Sequence, residues 1–465
     1  MTVDLSVHPP RSTALIVGSA RETISYGQLD AAVSGAARAH TDHGFRRGDV
    51  IALTAANTAE FVVDLLGAIR AGLIVAPMDP ALPQSGTRQR LDLLGSLRHG
   101  GPGGLTDDDA MVMFTSGTTG IPKMVPWTRQ AITASTASVA RTYGLTEADS
   151  TVAAMPLFHG HGLIATLLTS LTVGGTVLLP AAGRFSAHTF RDDLAAARAT
   201  WYTAVPTVHR IALTTRETRP GDTTRAAAAL RFVRSCSAPL APETAAGLES
   251  EFGVPVLPAY GMTEATHHVS GCTLGDTTDV RRRSVGTPAA ATARIVDGEV
   301  WVTGAAIARG YLGDPALSSG TFVEGWLRTG DLGAIDASGN LSVTGRIKNI
   351  INRGGEKISP ERVEQILAGC PGVAQAAVFP LPDPVYGERV GAAVVATPGI
   401  RPTTGELIAG CRGRLAKYEV PEHIAIVDAL PLTAKGDIDR AALVHSSGSS
   451  SNSQLSLSPT GAAVT

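Results

Sequence analysis

A tract of glycine, hydroxyl and lysine residues carries the first recognisable chemistry. In Met111–Val125, MVMFTSGTTGIPKMV, a β-rich run breaks after Thr115 into SGTTG and then reaches Lys123. Gly117 and Gly120 let backbone amides approach an anion closely. The hydroxyls of Ser116, Thr118 and Thr119 add donors, and Lys123 adds a point charge. That set suits a nucleotide triphosphate. It departs from the GxxxxGK[ST] loop, because its glycines are too close together and Met124 follows Lys123. A second tract, Tyr260–Glu264 (YGMTE), offers an aromatic face on which a base could stack. A third, RTGDLG, sets Asp331 in a turn where an acceptor-only carboxylate can contact two hydroxyls. His159 and His161 in PLFHGHG have i, i+2 spacing, which suits one side of an extended segment. No third ligand is spaced nearby, so a metal site there is weakly supported. His267 and His268 follow the YGMTE tract directly.

The elements around these tracts alternate. YGQLDAAVSGAARAHTDHG has helical spacing and closes on glycine. GDVIALTAAN reads as a strand, AEFVVDLLGAIRAG as a helix and LIVAPMDP as a strand. This order predicts βαβ units and a largely parallel sheet. Residues 96–107 form a Gly/Pro-rich connection. From about 295 the runs ARIVDGEVWVTG and GNLSVTGR predict a smaller β subdomain, and a fresh α/β pattern begins after Arg346. The Ser/Gly-rich end, 446–465, is expected to be disordered.

Bulk properties narrow the class. A chain of 465 residues is too long for one core, so two or more domains are expected. Hydrophobic residues at 44% and charged residues at 17% are a soluble globular balance. A formal net charge of -2 gives no reason to expect nucleic acid or an anionic membrane as partner. Cys236, Cys272, Cys370 and Cys411 form no CxxC pair, which fits a reduced, cytoplasmic protein. The start of the chain lacks a secretory pattern. The apolar stretch GLIATLLTSLTVGGTVLLP, broken at Gly174 and Gly175, reads as a buried helix and a strand rather than a membrane span.

Taken in order, these tracts together with SCSAPLAP, WLRTGDLG and GRIKNIINRGGEKISPERVE resemble the adenylate-forming superfamily of acyl-CoA ligases, luciferases and peptide-synthetase adenylation domains. The resemblance runs from about residue 20 to 445. PLFHGHG, ATWYTAVPTVH and RSCSAPLAP are most similar to the oxalate–CoA ligase and related small-acid branch. The resemblance implies an α/β fold. A large N-terminal AMP-binding domain, 1–346, would be built of layered α/β subdomains and a β subdomain. A small mobile α/β domain, 347–445, would turn about a hinge at Lys348. It also implies two steps, adenylation of a carboxylate by ATP and transfer of the acyl group to coenzyme A. Thr115, Ser116, Gly117, Thr118, Thr119 and Lys123 would then hold phosphates. Ser237, Ala238, Pro239, Tyr260 and Gly261 would surround adenine, Asp331 would meet the ribose, and Arg346 would contact ribose or phosphate. Thr263 would bond the α-phosphate and Glu264 would hold Mg²⁺. His159, with a catalytic place where carboxylate and thiol meet, would line an acyl pocket with His161, His267 and His268. Gly354 and Gly355 would line the pantetheine tunnel. The Arg281–Arg283 tract reads as a solvated basic face rather than a contact for a coenzyme A phosphate, and Cys236 as a core residue.

One tract departs from the pattern. The superfamily loop PxTxxGKxxR matches at Pro431, Thr433, Gly436 and Arg440, but Asp437 stands where the catalytic lysine belongs. That lysine bridges negative groups during adenylation. Two unit charges about 4 Å apart interact by roughly 4 kcal/mol at an effective dielectric near 20. Exchanging attraction for repulsion predicts an adenylation step slowed by at least about a thousandfold. The thioester-forming face keeps its motif. The expected ligands are therefore acyl-AMP or AMP and coenzyme A, with Mg²⁺ and ATP only if adenylation is retained. A separate adenylating enzyme is the partner this implies, as in split acyl-activation systems of actinobacterial natural-product biosynthesis. Two alternatives stand: a complete ATP-dependent acyl-CoA synthetase for a small or polar acid, with Lys435 as substitute, and a silent adenylate-binding regulatory protein.

Overall fold

The computed structural model describes residues 3–101, 103–115, 121–214, 229–431 and 438–448. The chain divides into two compact units. The first comprises Met1–Leu240, Thr244–Thr329 and Ile335–Ser342; the second comprises Ala241–Glu243, Gly330–Ala334 and Val343–Thr465.

The strands through the first third are β1 (Thr13–Val17), β2 (Glu22–Ser25), β3 (Val50–Thr54), β4 (Ile74–Met78), β5 (Asp109–Thr115) and β6 (Lys123–Thr128). There follow β7 (Ser150–Val152), β8 (Thr176–Leu178), β9 (Trp201–Ala204), β10 (Phe232–Ser235), β11 (Val256–Tyr260), β12 (Ser270–Gly271) and β13 (Thr287–Pro288). They form three sheets, ordered β2-β1-β8-β7, β3-β4-β5-β6 and β13-β12-β11-β10-β9. This corrects the expectation of one largely parallel sheet. Each sheet has a parallel centre and an antiparallel edge, as β3-β4-β5 is parallel and β6 antiparallel. The alternation of helix and strand signals local βαβ units but not which distant strands pair. β1 lies beside β8, with Leu15 opposite Val177.

Local signals explain the elements between. The helix Ala59–Arg70 is capped by the Thr58 hydroxyl, which accepts from the Phe61 amide. It buries Phe61, Val62, Leu65, Leu66 and Ile69, a stripe at helical spacing. β4 is buried along its whole length, as a central parallel strand should be. The apolar stretch after His159 becomes a π-helix, His161–Leu168, then a helix, Thr169–Val173, that ends at Gly174 with φ 86°. β8 follows, so the expected buried helix and strand are both found.

The β-rich stretch forms a sheet ordered β14-β15-β17-β16, with β18 pairing β17. Its strands are β14 (Thr292–Val296), β15 (Glu299–Thr303), β16 (Phe322–Val323), β17 (Trp326–Ile335) and β18 (Leu341–Arg346).

The second unit contains β19 (Ile351–Arg353), β20 (Glu356–Ile358), β21 (Val373–Asp383), β22 (Gly387–Ala396) and β23 (His423–Val427), in the order β20-β19-β22-β21 with β23 on β22. Ile351, Val363, Leu367, Val378, Val390 and Leu407 lie in its core. The helix Arg440–Gly448 runs three residues beyond 445, the expected end of ordered chain. Its apolar residue Leu443 packs with Phe379 and Leu430, which keeps the segment helical. The rest of the expected tail lies outside the described residues. Among the described residues, no helix is long and apolar enough to cross a membrane.

Candidate active site

The strands on either side of the phosphate tract pair antiparallel. Thr115 ends β5 and pairs with Lys123, the first residue of β6. Ser116, Gly117, Thr118 and Thr119 lie outside the described residues. The Lys123 ammonium stands 4.7 Å from the centre of the Tyr311 ring, and the Tyr311 hydroxyl donates to Glu264 Oε1 at 2.8 Å. Tyr311 is 3% exposed and Glu264 7%. Burial, with the Glu264 carboxylate beside it, pushes the Tyr311 hydroxyl up, so it stays protonated and donates. Trp127 Nε1 donates to the Thr263 carbonyl at 2.8 Å and ties the short turn Thr263–Ala265 to β6. Tyr311 is a residue that sequence reading missed. It arrives through a long-range bridge, in which the Leu312 amide donates to the Met124 carbonyl at 2.9 Å. The Met124 side chain is buried with Ile74, Ala76, Val112 and Leu312, so the departure at this position fills the core.

Among the described residues, no three or more His, Cys, Asp or Glu side chains converge to hold a metal. A single buried carboxylate at Glu264 still fits Mg²⁺, which is commonly bound through one or two carboxylates plus substrate phosphates.

The next tracts meet behind that turn. Tyr260 ends β11 and is buried. A Cβ on Gly261 would fall 1.4 Å from the His267 carbonyl oxygen, so this position admits glycine only. Ser237 adopts φ 75°, uncommon for a residue with a side chain, and Ser237, Ala238 and Pro239 are exposed. Cys236 is buried, as expected.

Three of the four histidines assemble. His161 Nε2 lies 2.6 Å from Thr203 Oγ1, and its Nδ1 lies 3.2 Å from Ser237 Oγ. Both nitrogens thus have hydroxyl partners, which leaves the weak His159–His161 metal signature without support. The His161 ring stacks on His267, with centroids 5.2 Å apart and planes at 23°. His267 holds φ 78°. His268 follows, with Nε2 3.4 Å from Thr142 Oγ1 and a buried Nδ1 that has no partner among the described residues. His159 does not join this group. It is exposed and packs on Phe158, with centroids 4.4 Å apart.

At the centre of the three lies Arg234, fully buried on β10 and also missed by sequence reading. Its Nε donates to the Tyr143 hydroxyl at 2.9 Å, Nη1 to Thr203 Oγ1 at 3.1 Å and Nη2 to His267 Nε2 at 3.2 Å. A guanidinium only donates, so His267 Nε2 must accept and its proton sits on Nδ1. Burial, and then the Arg234 charge, hold His161, His267 and His268 well below the ordinary histidine range. Burial pushes Tyr143 up to about 12. The cluster is therefore one permanent cation among neutral groups. Its signal was present in the sequence: FVRS is a strand pattern interrupted by a charge.

In the second unit, Arg346 Nε pairs with Asp331 Oδ1 at 2.8 Å; the Asp331 side chain is 3% exposed and that of Arg346 51%. Lys348 is exposed in the short turn Ile347–Asn349. Gly354 and Gly355, at φ 58° and 99°, make the two-residue turn of the β19–β20 hairpin, where both positions need left-handed backbone. Arg440 anchors its helix by pairing with Glu364 at 2.7 Å and donating to the Val378 carbonyl. Lys435 and Asp437 lie outside the described residues. Elsewhere, Arg282 and Arg283 pair with Glu249 and Asp279, in keeping with a solvated basic face.

The chain matches the AMP-binding enzyme family over residues 4–96 and 102–312, and the AMP-binding enzyme C-terminal domain over 362–437. It belongs to this family and has its adenylate-forming α/β fold. It is 39% identical over 464 residues to the oxalate–CoA ligase of Arabidopsis thaliana, covering 87% of this chain and 90% of that one. Over 351 residues it is 36% identical to the sulfoacetate–CoA ligase of Cupriavidus necator, covering 73% and 67%. Among solved structures, ATP-bound MatB from Rhodopseudomonas palustris superposes with a TM-score of 0.82 at 25% identity, over 95% of this chain and 96% of that chain. The o-succinylbenzoate CoA synthetase of Bacillus subtilis, with its acyl-adenylate intermediate, gives 0.79 at 28% identity, over 94% and 96%.

Proposed function

We propose that the protein is an acyl-CoA ligase that forms its thioester from an acyl-adenylate and coenzyme A, with ATP-dependent adenylation impaired. The observation that carries this reading is Asp437 at the lysine position of a loop otherwise complete at Pro431, Thr433, Gly436 and Arg440. In the retained step the coenzyme A sulfur attacks the acyl carbonyl. A C–S bond forms, the mixed-anhydride C–O bond breaks, AMP leaves and the thiol proton is released. Neither the attacking nor the leaving group requires the missing lysine.

The other roles follow the family pattern. The hydroxyls and amides of 115–119 and Lys123 face phosphate; Ser237, Ala238, Pro239, Tyr260 and Gly261 face adenine. Asp331 and Arg346 face ribose, with Arg346 orienting the Asp331 carboxylate. Thr263 serves the α-phosphate, and His159 the junction of acyl group and thiol. The domain 347–445 turns about Lys348, and Gly354 and Gly355 flank the pantetheine arm. A small, polar acyl group is supported by the names of two relatives, since oxalate and sulfoacetate each carry a second acidic group.

A second reading has its own support. Lys123, Tyr311 and Glu264 keep an arrangement useful mainly for a triphosphate and Mg²⁺, which favours a complete ATP-dependent synthetase with Lys435 as substitute. Two parallel assays decide between them. One supplies synthetic acyl-AMP with coenzyme A; the other supplies acid, ATP, Mg²⁺ and coenzyme A. Thioester in the first assay only is expected. Equal rates in both would establish the complete synthetase, and a Lys435→Ala variant should then lose adenylation. AMP binding without thioester in either would mark a silent adenylate-binding protein.

A further inference from the structure

Lys123 and Glu264 carry opposite charges close to one another, yet they form no ion pair. The Lys123 ammonium lies 4.7 Å from the centre of the Tyr311 ring, and Glu264 Oε1 accepts from the Tyr311 hydroxyl at 2.8 Å. One side chain thus meets both charges, with its face toward the cation and its hydroxyl toward the anion.

The surrounding chain fixes Tyr311 in that place. The Ala308 amide donates to the Glu264 carbonyl at 2.8 Å, and the Leu312 amide donates to the Met124 carbonyl at 2.9 Å. Residues 308–312 therefore run from the turn that carries Glu264 to β6, beside Lys123. Ser318, on the helix Pro315–Thr321, accepts from the Tyr311 amide at 2.8 Å. The Tyr311 ring packs edge-on against Phe322, with centroids 5.5 Å apart and planes at 72°. Trp127 ties the same turn to β6 a second time. A side chain anchored at so many points does not follow a ligand; it holds the groups that do.

Lysine is a point charge on a flexible stem, and a nearby carboxylate is its natural partner. Pairing would cancel the charge that Lys123 can offer to phosphate and Glu264 to Mg²⁺. A cation–π contact is weaker than a charge-assisted hydrogen bond, so the ring holds Lys123 without retaining it when phosphate arrives. We propose that Tyr311 is a positioning residue that keeps Lys123 and Glu264 apart, parking the ammonium for phosphate and fixing the carboxylate for Mg²⁺. The inference rests on reading this site as one for a triphosphate and Mg²⁺, and it concerns binding, so it holds whether or not adenylation follows.

The test titrates the full chain by calorimetry with ATP and Mg²⁺, with ATP and EDTA, and with AMP. Tyr311→Phe keeps the ring and loses the hydroxyl. It should weaken ATP binding with Mg²⁺ by at least about tenfold, the size of a lost hydrogen bond to a charged group, and leave ATP binding in EDTA within about threefold. Tyr311→Leu removes the ring too and lets Lys123 pair with Glu264. It should weaken ATP binding in EDTA by at least about tenfold, as a lost charge-assisted contact to phosphate would. Adding Glu264→Gln to Tyr311→Leu should restore that affinity, because Lys123 is then released. AMP binding that matches the native chain reports an intact fold. An equal loss in all three titrations, or an ATP affinity in EDTA that Glu264→Gln does not restore, overturns this inference alone. If Tyr311→Leu fails to fold, the split that Tyr311→Phe shows between ATP with Mg²⁺ and ATP in EDTA decides. A native chain that binds AMP but no ATP overturns the reading of the site as one for triphosphate as well.

Discussion

Arg309 and Arg234 show two ways of placing a guanidinium in the same unit. Arg309 meets Asp109 with both ends of its fork, at 2.5 and 2.7 Å, and the Asp109 side chain is fully buried. The Asp109 carboxylate also accepts from the Thr106 amide at 2.9 Å, so every charge there has its complement. The pair joins the start of β5 to the chain just before Tyr311, and its meaning is structural. Arg234 is more deeply buried, and its partners are Tyr143, Thr203, His267 and the Cys236 thiol, with no Asp or Glu among the described residues. Matched charges make a staple that is complete without a ligand. An unmatched one is held by hydrogen bonds to groups drawn from several elements of the fold.

The largest expected effect tests charge matching on the loop itself. Asp437→Lys should raise acid-dependent ATP–pyrophosphate exchange by at least about a thousandfold. An unchanged rate would mean that the charge at 437 is not what limits adenylation. Next, Arg309→Met should lower the unfolding free energy by about 3 kcal/mol in a guanidinium titration, because it strands a buried carboxylate. Arg234→Met should cost less than about 1 kcal/mol without ligand, since the lost hydrogen bonds are offset by removing a desolvated charge. The reverse order would make Arg234 the staple.

Acid should then weaken the neutral cluster. Burial lowers His209 to about 3 and holds His161, His267 and His268 below 6.5. Unfolded histidines take up protons below about 6.5 and these buried ones do not. Stability is therefore full above that pH and falls as the solution is acidified. His209 alone should contribute a loss of about 2 kcal/mol at pH 5 relative to pH 8. Stability that stays flat across that range would show that the histidines are not held neutral. The smallest effect is expected at Tyr311. Tyr311→Phe keeps the ring under Lys123 but removes the donor to Glu264, at about 1 kcal/mol of unfolding free energy. A cost near zero would show that Glu264 is oriented by other groups.

The sequence by itself determined which stretches bear the chemistry. Glycines beside hydroxyls and Lys123, the YGMTE tract and the loop that carries Asp437 are local patterns, and their order along the chain defines the family. Helices such as Ala59–Arg70 were legible too, because cap and stripe lie within one turn or two of each other. Tertiary structure alone decided which side chains share an environment. Tyr311 reached Lys123 through a backbone bridge to Met124, 188 residues away in sequence numbering. His161 met His267 and Arg234 found Tyr143 through packing of elements distant in sequence, and Arg234 reached Thr203 because β10 pairs with β9 with those two residues opposite each other. Burial then turned ordinary residues into perturbed ones: it holds the histidines neutral and leaves Arg234 charged, since desolvation can remove a proton from an imidazole but not from a guanidinium.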